Sequence, residues 1–268
     1  MTRSAGSPRG DVYRAITVAT SEHVHIITLN RPERKNPLGP EMVNELLWAL
    51  DDAKDDADVR VVILTGAGTA FSAGGDLKQM SSGEGPPPLE PKGDYVDLLL
   101  RFTTLGKPSI AKVNGLAMGG GLGLVAACDF AIAAESAKLG TPEIKRGLFP
   151  MMIMAVLRRV VSKRRLMELM LTGDSISAQE AAQMELISRA VPDASLDTEV
   201  ATLASKLAAQ SPTAMRLGLA AWHAQSDQDL ATALPDLRDR LMAILGTDDA
   251  REGLTAFLEK RDPVWTGR

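Results

Sequence analysis

Two glycine clusters hold the most chemically suggestive residues of the chain. The first is Phe71-Ser72-Ala73-Gly74-Gly75-Asp76. The second is Asn114-Gly115-Leu116-Ala117-Met118-Gly119-Gly120-Gly121. Each follows a run that reads as a buried strand. Glycine lets a backbone approach a ligand closely and adopt dihedrals other residues avoid. A helical run follows the second cluster, and a helix start offers unpaired N–H groups and the positive end of a dipole. Two N–H donors converging on one oxygen form an oxyanion hole, which stabilises a thioester enolate as readily as a tetrahedral intermediate. Taken alone, the second cluster serves tight helix–sheet packing equally well. Gly119-Gly120-Gly121-Leu122-Gly123 has the wrong spacing for a dinucleotide fingerprint, and no G-K-[ST] follows to make a P-loop.

Other catalytic tools are scarce. The 268 residues include 30 basic and 34 acidic side chains, three histidines and one cysteine. His23, His25 and His223 with Cys128 make a poor supply for a zinc site or a Ser-His or Cys-His nucleophile. A lone cysteine forms no internal disulfide, which points to a reducing compartment and a cytoplasmic protein. A net charge of −4 argues against a general nucleic-acid binder. The longest uncharged run, between Lys112 and Asp129, is shorter than the roughly 20 apolar residues of a membrane span. Carboxylates and backbone groups remain as the tools of an enzyme.

The elements that would position them follow from pattern. Tyr13–Thr20 and His23–Leu29 read as strands joined at Ser21-Glu22. Two prolines break the stretch from Asn30 to Pro37 into a loop. Gly39-Pro40 then starts a helix that runs to about Asp55, with Met42, Leu46, Leu47 and Leu50 at helical spacing. Val59–Leu64, Ser109–Val113 and Phe130–Ala134 read as buried strands, with a helix at Gly120–Cys128. Strand, helix, strand predicts right-handed crossovers in a mostly parallel α/β sheet, with both clusters at strand ends, where such folds bind ligands. Ser81–Lys92, with four prolines, reads as a mobile loop. Beyond Met151 the chain reads as helical apart from Ile187–Val191. The last four helices are Leu196–Ala208, Pro212–Ala224, Leu230–Leu245 and Asp248–Lys260. Met1–Gly10 carries no apolar segment, so residues 1–12 are expected to be a disordered tail.

Taken together, the motifs resemble the enoyl-CoA hydratase/isomerase (crotonase) superfamily. They are Asn30-Arg31-Pro32 with Asn36, the Phe71–Leu77 cluster, Asn114-Gly115 with Gly119-Gly120-Gly121, Cys128-Asp129, and Thr141-Pro142-Glu143 with Gly147. Order and spacing match from about Tyr13 to Arg261. The resemblance implies a crotonase (ClpP/crotonase-like) fold, a spiral of repeated β-β-α units over residues 13–195, with a helical trimerisation region at 196–268. It implies homotrimers or homohexamers and an acyl-CoA thioester substrate, with no cofactor or metal besides the CoA of the substrate. Gly75 and Gly120 match the oxyanion-hole donors. Arg34, Lys35, Ala73, Asp76, Lys78, Phe257 and Lys260 fall at positions matching CoA contacts. For the basic residues a solvated surface charge is the commoner role, and Asp76 also suits a turn-stabilising acid.

The resemblance implies two catalytic glutamates in hydratases. The first position matches Gly123, which has no side chain; the second matches Glu143. One carboxylate suffices to move a proton from C2 to C4 of a 3-enoyl thioester, whereas hydration divides its work between two. The reading is therefore an enoyl-CoA isomerase with Glu143 as base. Two alternatives stand beside it: a hydratase or other lyase of the family, and a non-catalytic acyl-CoA-binding protein. The second is suggested by Gly123 and by Phe149-Pro150-Met151-Met152-Ile153-Met154, where relatives carry glycines. Those methionines suit either a soft acyl pocket or core packing.

Overall fold

A computed structural model of the chain describes residues 12–76 and 89–268. The N-terminal tail before Val12, most of the proline-rich loop and Lys78 lie outside the described residues. Strands β1 (Ile16–Ser21) and β2 (Val24–Leu29) form a hairpin. Its turn falls on Glu22-His23, one residue later than expected, with φ of 49° and 67°. Positive φ at both positions is what a two-residue hairpin loop needs. The resulting register sets Ile16 against Leu29, both buried.

From β2 the sheet continues in parallel through β3 (Val61–Gly66), β5 (Ser109–Val113), β7 (Phe130–Ala134) and β10 (Arg189–Val191), in the order β1-β2-β3-β5-β7-β10. A smaller sheet, ordered β4-β6-β8-β9, contains β4 (Ala70–Ser72), β6 (Leu116–Met118), β8 (Lys138–Gly140) and β9 (Ser175–Ser177). After α1 (Pro40–Asp55), each unit passes from the large sheet to the small one and then reaches a helix. The helices are α2 (Tyr95–Thr104) after β3-β4, α3 (Gly120–Ala127) after β5-β6, and α4 (Met151–Leu157) after β7-β8. This is the β-β-α spiral of the crotonase fold. The small-sheet strands have three residues each, too few for a periodic signal to reveal them.

Helix α2 is the one long element the sequence reading passes over. Its signal is present: Asp94 accepts from Val96 N and Asp97 N, and Asp97 accepts from Asp94 N, a reciprocal cap. Leu98, Leu99 and Phe102 form its buried face. The prolines just before it masked that pattern.

Alternation along the strands builds two cores. Val62 and Leu64 join Leu46, Leu50, Leu98 and Leu122 in the larger core, under α1, α2 and α3. Val61 and Ile63 face the other way, with Ile110 and Ile132, onto Leu196, Val200 and Ala204 of α7 (Leu196–Ala208). The first helix of the 196–268 region therefore packs on the large sheet. Helices α5 (Lys163–Thr172), α6 (Ala178–Gln183), α8 (Pro212–Gln225), α9 (Leu230–Leu245) and α10 (Asp248–Glu259) complete the described chain.

One carboxylate in α1 fastens the start of the sheet. Glu45 is buried and accepts from Arg14 N (2.8 Å), Ala15 N (2.8 Å) and Ile16 N (3.1 Å). Burial pushes its carboxyl above the ordinary carboxylate range, while the three donors hold it down. Glu45→Ala strands donors with no replacement, at about 1–3 kcal/mol for each fully buried one. The variant is expected to lose roughly 2–4 kcal/mol in urea unfolding. A loss too small to measure would show that water replaces the carboxylate.

Candidate active site

Asn36 organises one side of the site. It is buried, sits at φ 53°, and donates Nδ2 to the carbonyls of Ala67 (2.9 Å), Ala70 (2.8 Å) and Phe71 (3.2 Å). Ser72 Oγ donates to Asn36 O (2.8 Å) and accepts from Gly74 N (3.2 Å). These bonds fasten the loop after β2 to β4 and the turn beyond it. Leu38 N then donates to Gly74 O (2.8 Å), and Asp76 N donates to Leu38 O (3.1 Å). Gly75 is thus held between two bonded neighbours, and its own N–H donates to no acceptor among the described residues.

The second cluster meets this turn through β6 and α3. Gly119 precedes α3 at φ 50° and donates its N–H to Gly140 O (2.9 Å). Gly120 is the first residue of the helix, where an N–H has no intrahelical acceptor. Gly74 lies against it: a Cβ on Gly74 would stand 3.4 Å from Gly120 N and 2.7 Å from Met118 O. A Cβ on Gly121 would stand 2.7 Å from Ser72 Cβ. The two clusters interlock, and side chains at Gly74 or Gly121 would force them apart. The turn that carries Gly75 is thereby packed against the start of α3, and neither the Gly75 nor the Gly120 N–H has an acceptor among the described residues.

Glu143 reaches this junction from the other side. It lies in a 3-10 turn, Pro142–Arg146, behind β8. The turn is anchored by buried Thr141, whose Oγ1 donates to Leu169 O (3.0 Å), and by Leu148 N donating to Glu143 O (3.1 Å). A Cβ on Gly119 would stand 2.7 Å from Glu143 Oε1, so the carboxylate lies against the turn that carries Gly120. Its Oε2 is buried with no hydrogen-bond partner among the described residues. Burial pushes the Glu143 carboxyl above the ordinary carboxylate range, more strongly than its own N–H and Arg146 pull it down. A partly desolvated, unpartnered carboxylate is a stronger base than one in water.

No carboxylate faces it from α3. A Cβ on Gly123 would overlap Ile153 Cγ2 and the Tyr95 hydroxyl, so the room for a side chain is already filled. Tyr95 Oη donates to Gly120 O at 2.5 Å. Tyr95 is a neighbour of this candidate site that no sequence motif announces, because it stands on the unforeseen helix α2. Gly123→Ala is expected to cost about 1–3 kcal/mol of stability through overpacking against Ile153. A chemical-denaturation curve measures it, and an unchanged midpoint would mean that Ile153 moves aside freely.

The remaining candidates divide into two groups. Arg34 Nη2 pairs with buried Asp76 at 2.7 Å, and Lys35 O accepts from Ala73 N (2.8 Å). Arg34, Lys35, Ala73 and Asp76 therefore lie together beside Gly75. The Arg34–Asp76 pair closes the turn, in keeping with the turn-stabilising reading of Asp76. Phe257 and Lys260 are not gathered with them in one chain: α10 packs against α8 and α9, and Phe257 is 80% exposed. Met151 and Met152 are exposed at the start of α4, whereas Pro150 and Ile153 are buried and Phe149 and Met154 pack half-buried against the core. Cys128 is buried, and burial together with Asp129 pushes its thiol up. No helix among the described residues is long and apolar enough to cross a membrane.

Comparison with known proteins places this geometry. A profile described as "Enoyl-CoA hydratase/isomerase" matches residues 19–268. A Thermus thermophilus protein provisionally named as an enoyl-CoA hydratase is 40% identical, covering 90% of this chain and 96% of its own. The human "Enoyl-CoA hydratase domain-containing protein 3, mitochondrial" is 36% identical over 90% of this chain and 80% of its own. The crystal structure of an enoyl-CoA hydratase from Bacillus anthracis superposes with a TM-score of 0.87 at 36% identity, covering 95% of this chain and all (100%) of that one. In sequence and in fold, the chain belongs to the enoyl-CoA hydratase/isomerase family.

Proposed function

We propose that the protein isomerises enoyl-CoA thioesters, shifting a double bond from C3 to C2. The observation that carries this reading is the single carboxylate: Glu143 is present, and Tyr95 and Ile153 occupy the room a side chain at Gly123 would need. The thioester oxygen accepts from the N–H groups of Gly75 and Gly120. Glu143 takes a proton from C2, and the electron pair of that bond delocalises onto the oxygen as a dienolate. The protonated Glu143 returns the proton at C4, giving the conjugated 2-enoyl thioester. No water, metal or redox cofactor enters the balance. The enzyme works as a homotrimer or homohexamer, a reading supported by the exposed Leu234, Leu241, Met242, Leu254, Phe257 and Leu258 of α9 and α10.

Hydration is the second reading, favoured by the hydratase names of the relatives. Incubation with a 3-enoyl-CoA and, separately, a 2-enoyl-CoA decides between them. Isomerisation predicts conversion of the first to the 2-enoyl thioester and little hydroxyacyl-CoA from the second. Rapid hydroxyacyl-CoA formation without isomerisation overturns it, and binding without turnover would identify an acyl-CoA-binding protein.

A further inference from the structure

The Gly119–Gly121 segment must be both bare and rigid. Bareness is set by contacts: Glu143 stands over Gly119 and Ser72 against Gly121. Rigidity is then a problem, because three successive glycines have more backbone freedom to lose than any other tripeptide. An N–H donor stabilises an oxyanion only if it is already aimed when charge develops. The one side-chain hydrogen bond to this segment among the described residues is the 2.5 Å bond from Tyr95 Oη to Gly120 O. The Tyr95 ring also lies against Gly120, with Cζ 3.5 Å from where a Cβ would be. Tyr95 is itself fixed, because it opens α2 under the Asp94–Asp97 reciprocal cap and that helix is held in the core by Leu98 and Phe102.

We infer that Tyr95 is a positioning residue of the oxyanion hole: its hydroxyl pins the carbonyl of Gly120 and so holds the first turn of α3, with the Gly120 N–H, aimed at the thioester oxygen. The same hydroxyl stands over Gly123, so one side chain both orients the donor and fills the place where a second carboxylate would enter. Burial, and secondarily the charge of Glu143, push the phenol well above its usual pKa, so the group stays a neutral donor through the working pH range. The inference rests on the oxyanion-hole reading of Gly75 and Gly120.

Tyr95→Phe keeps the ring and removes the bond, and 2,4-hexadienoyl-CoA reports on the hole. Its conjugated thioester absorbs at longer wavelength when the carbonyl is polarised. Wild-type protein is expected to red-shift the bound thioester. Tyr95→Phe should give a smaller shift and a kcat for 3-enoyl-CoA isomerisation lower by about tenfold, with KM little changed, because misaimed groups cost rate more than binding. Its thermal unfolding midpoint should stay within a few degrees of wild type. A red shift and kcat equal to wild type overturn the role of Tyr95. Lowered thermal stability with an unchanged shift assigns it to packing alone, and also overturns it. No red shift in the wild type removes the oxyanion hole itself, and with it the function proposed above.

Discussion

Glu143→Gln is expected to lower turnover of a 3-enoyl-CoA by roughly 10³-fold, within the 10²–10⁴ that a positioned acid–base group contributes. Glutamine is isosteric, so CoA thioester binding should persist, measurable by titration with a non-reactive acyl-CoA. The wild-type pH profile should also betray the base. The Glu143 carboxyl titrates above the ordinary carboxylate range because it is partly buried. The acid limb of kcat/KM should therefore lie above that range and be absent in the variant's residual activity. Stability should move the other way. A carboxylate whose folded pKa is raised burdens the native state at pH above its unfolded value, and the burden vanishes below it. Glu143→Gln is thus expected to be at least as stable as wild type at pH 7, with the difference closing as the pH falls through the carboxylate range. A variant that keeps wild-type turnover would remove Glu143 from the reaction.

The second large effect belongs to Gly75. A side-chain change barely tests a backbone donor, whereas proline removes the N–H altogether. Gly75→Pro is expected to reduce kcat/KM by 10²–10³-fold or more, since one oxyanion-hole donor is worth about 2.7–4 kcal/mol. The bonds that hold the turn, Leu38 N to Gly74 O and Asp76 N to Leu38 O, use neighbouring residues and remain available. Circular dichroism should therefore show an intact fold. Intact fold with unimpaired turnover would place the oxyanion elsewhere.

Legibility in the sequence tracked the strength of local pattern. Ser109–Val113, Phe130–Ala134, Leu196–Ala208 and Leu230–Leu245 fall where apolar runs and helical spacing put them. Strand β3 begins at Val61 rather than Val59 because pairing with β2, not apolar content, sets its edge. The second sheet was invisible: Ala70–Ser72 and Leu116–Met118 are too short to alternate, and they exist because Asn36 and the glycine contacts hold them. Of the candidate site, Gly75, Gly120 and Glu143 could be named from motifs, and the turns that carry them pack against one another. Tyr95 could not, because its relevance depends on contact with Gly120 and Gly123, some 25 residues away along the chain. No pattern of spacing encodes such a contact.

Cys128 closes the helix that supplies Gly120, and it is the only thiol in the chain. The thiolate is the reactive form, and burial holds this group as the thiol. Alkylation is therefore expected to be slow while α3 stays packed and to quicken as it opens. The rate of modification at saturating reagent becomes a clock for that opening, read without any introduced label. Compared between free and acyl-CoA-loaded protein, the clock would report how far substrate itself tightens the helix that must hold the donor still.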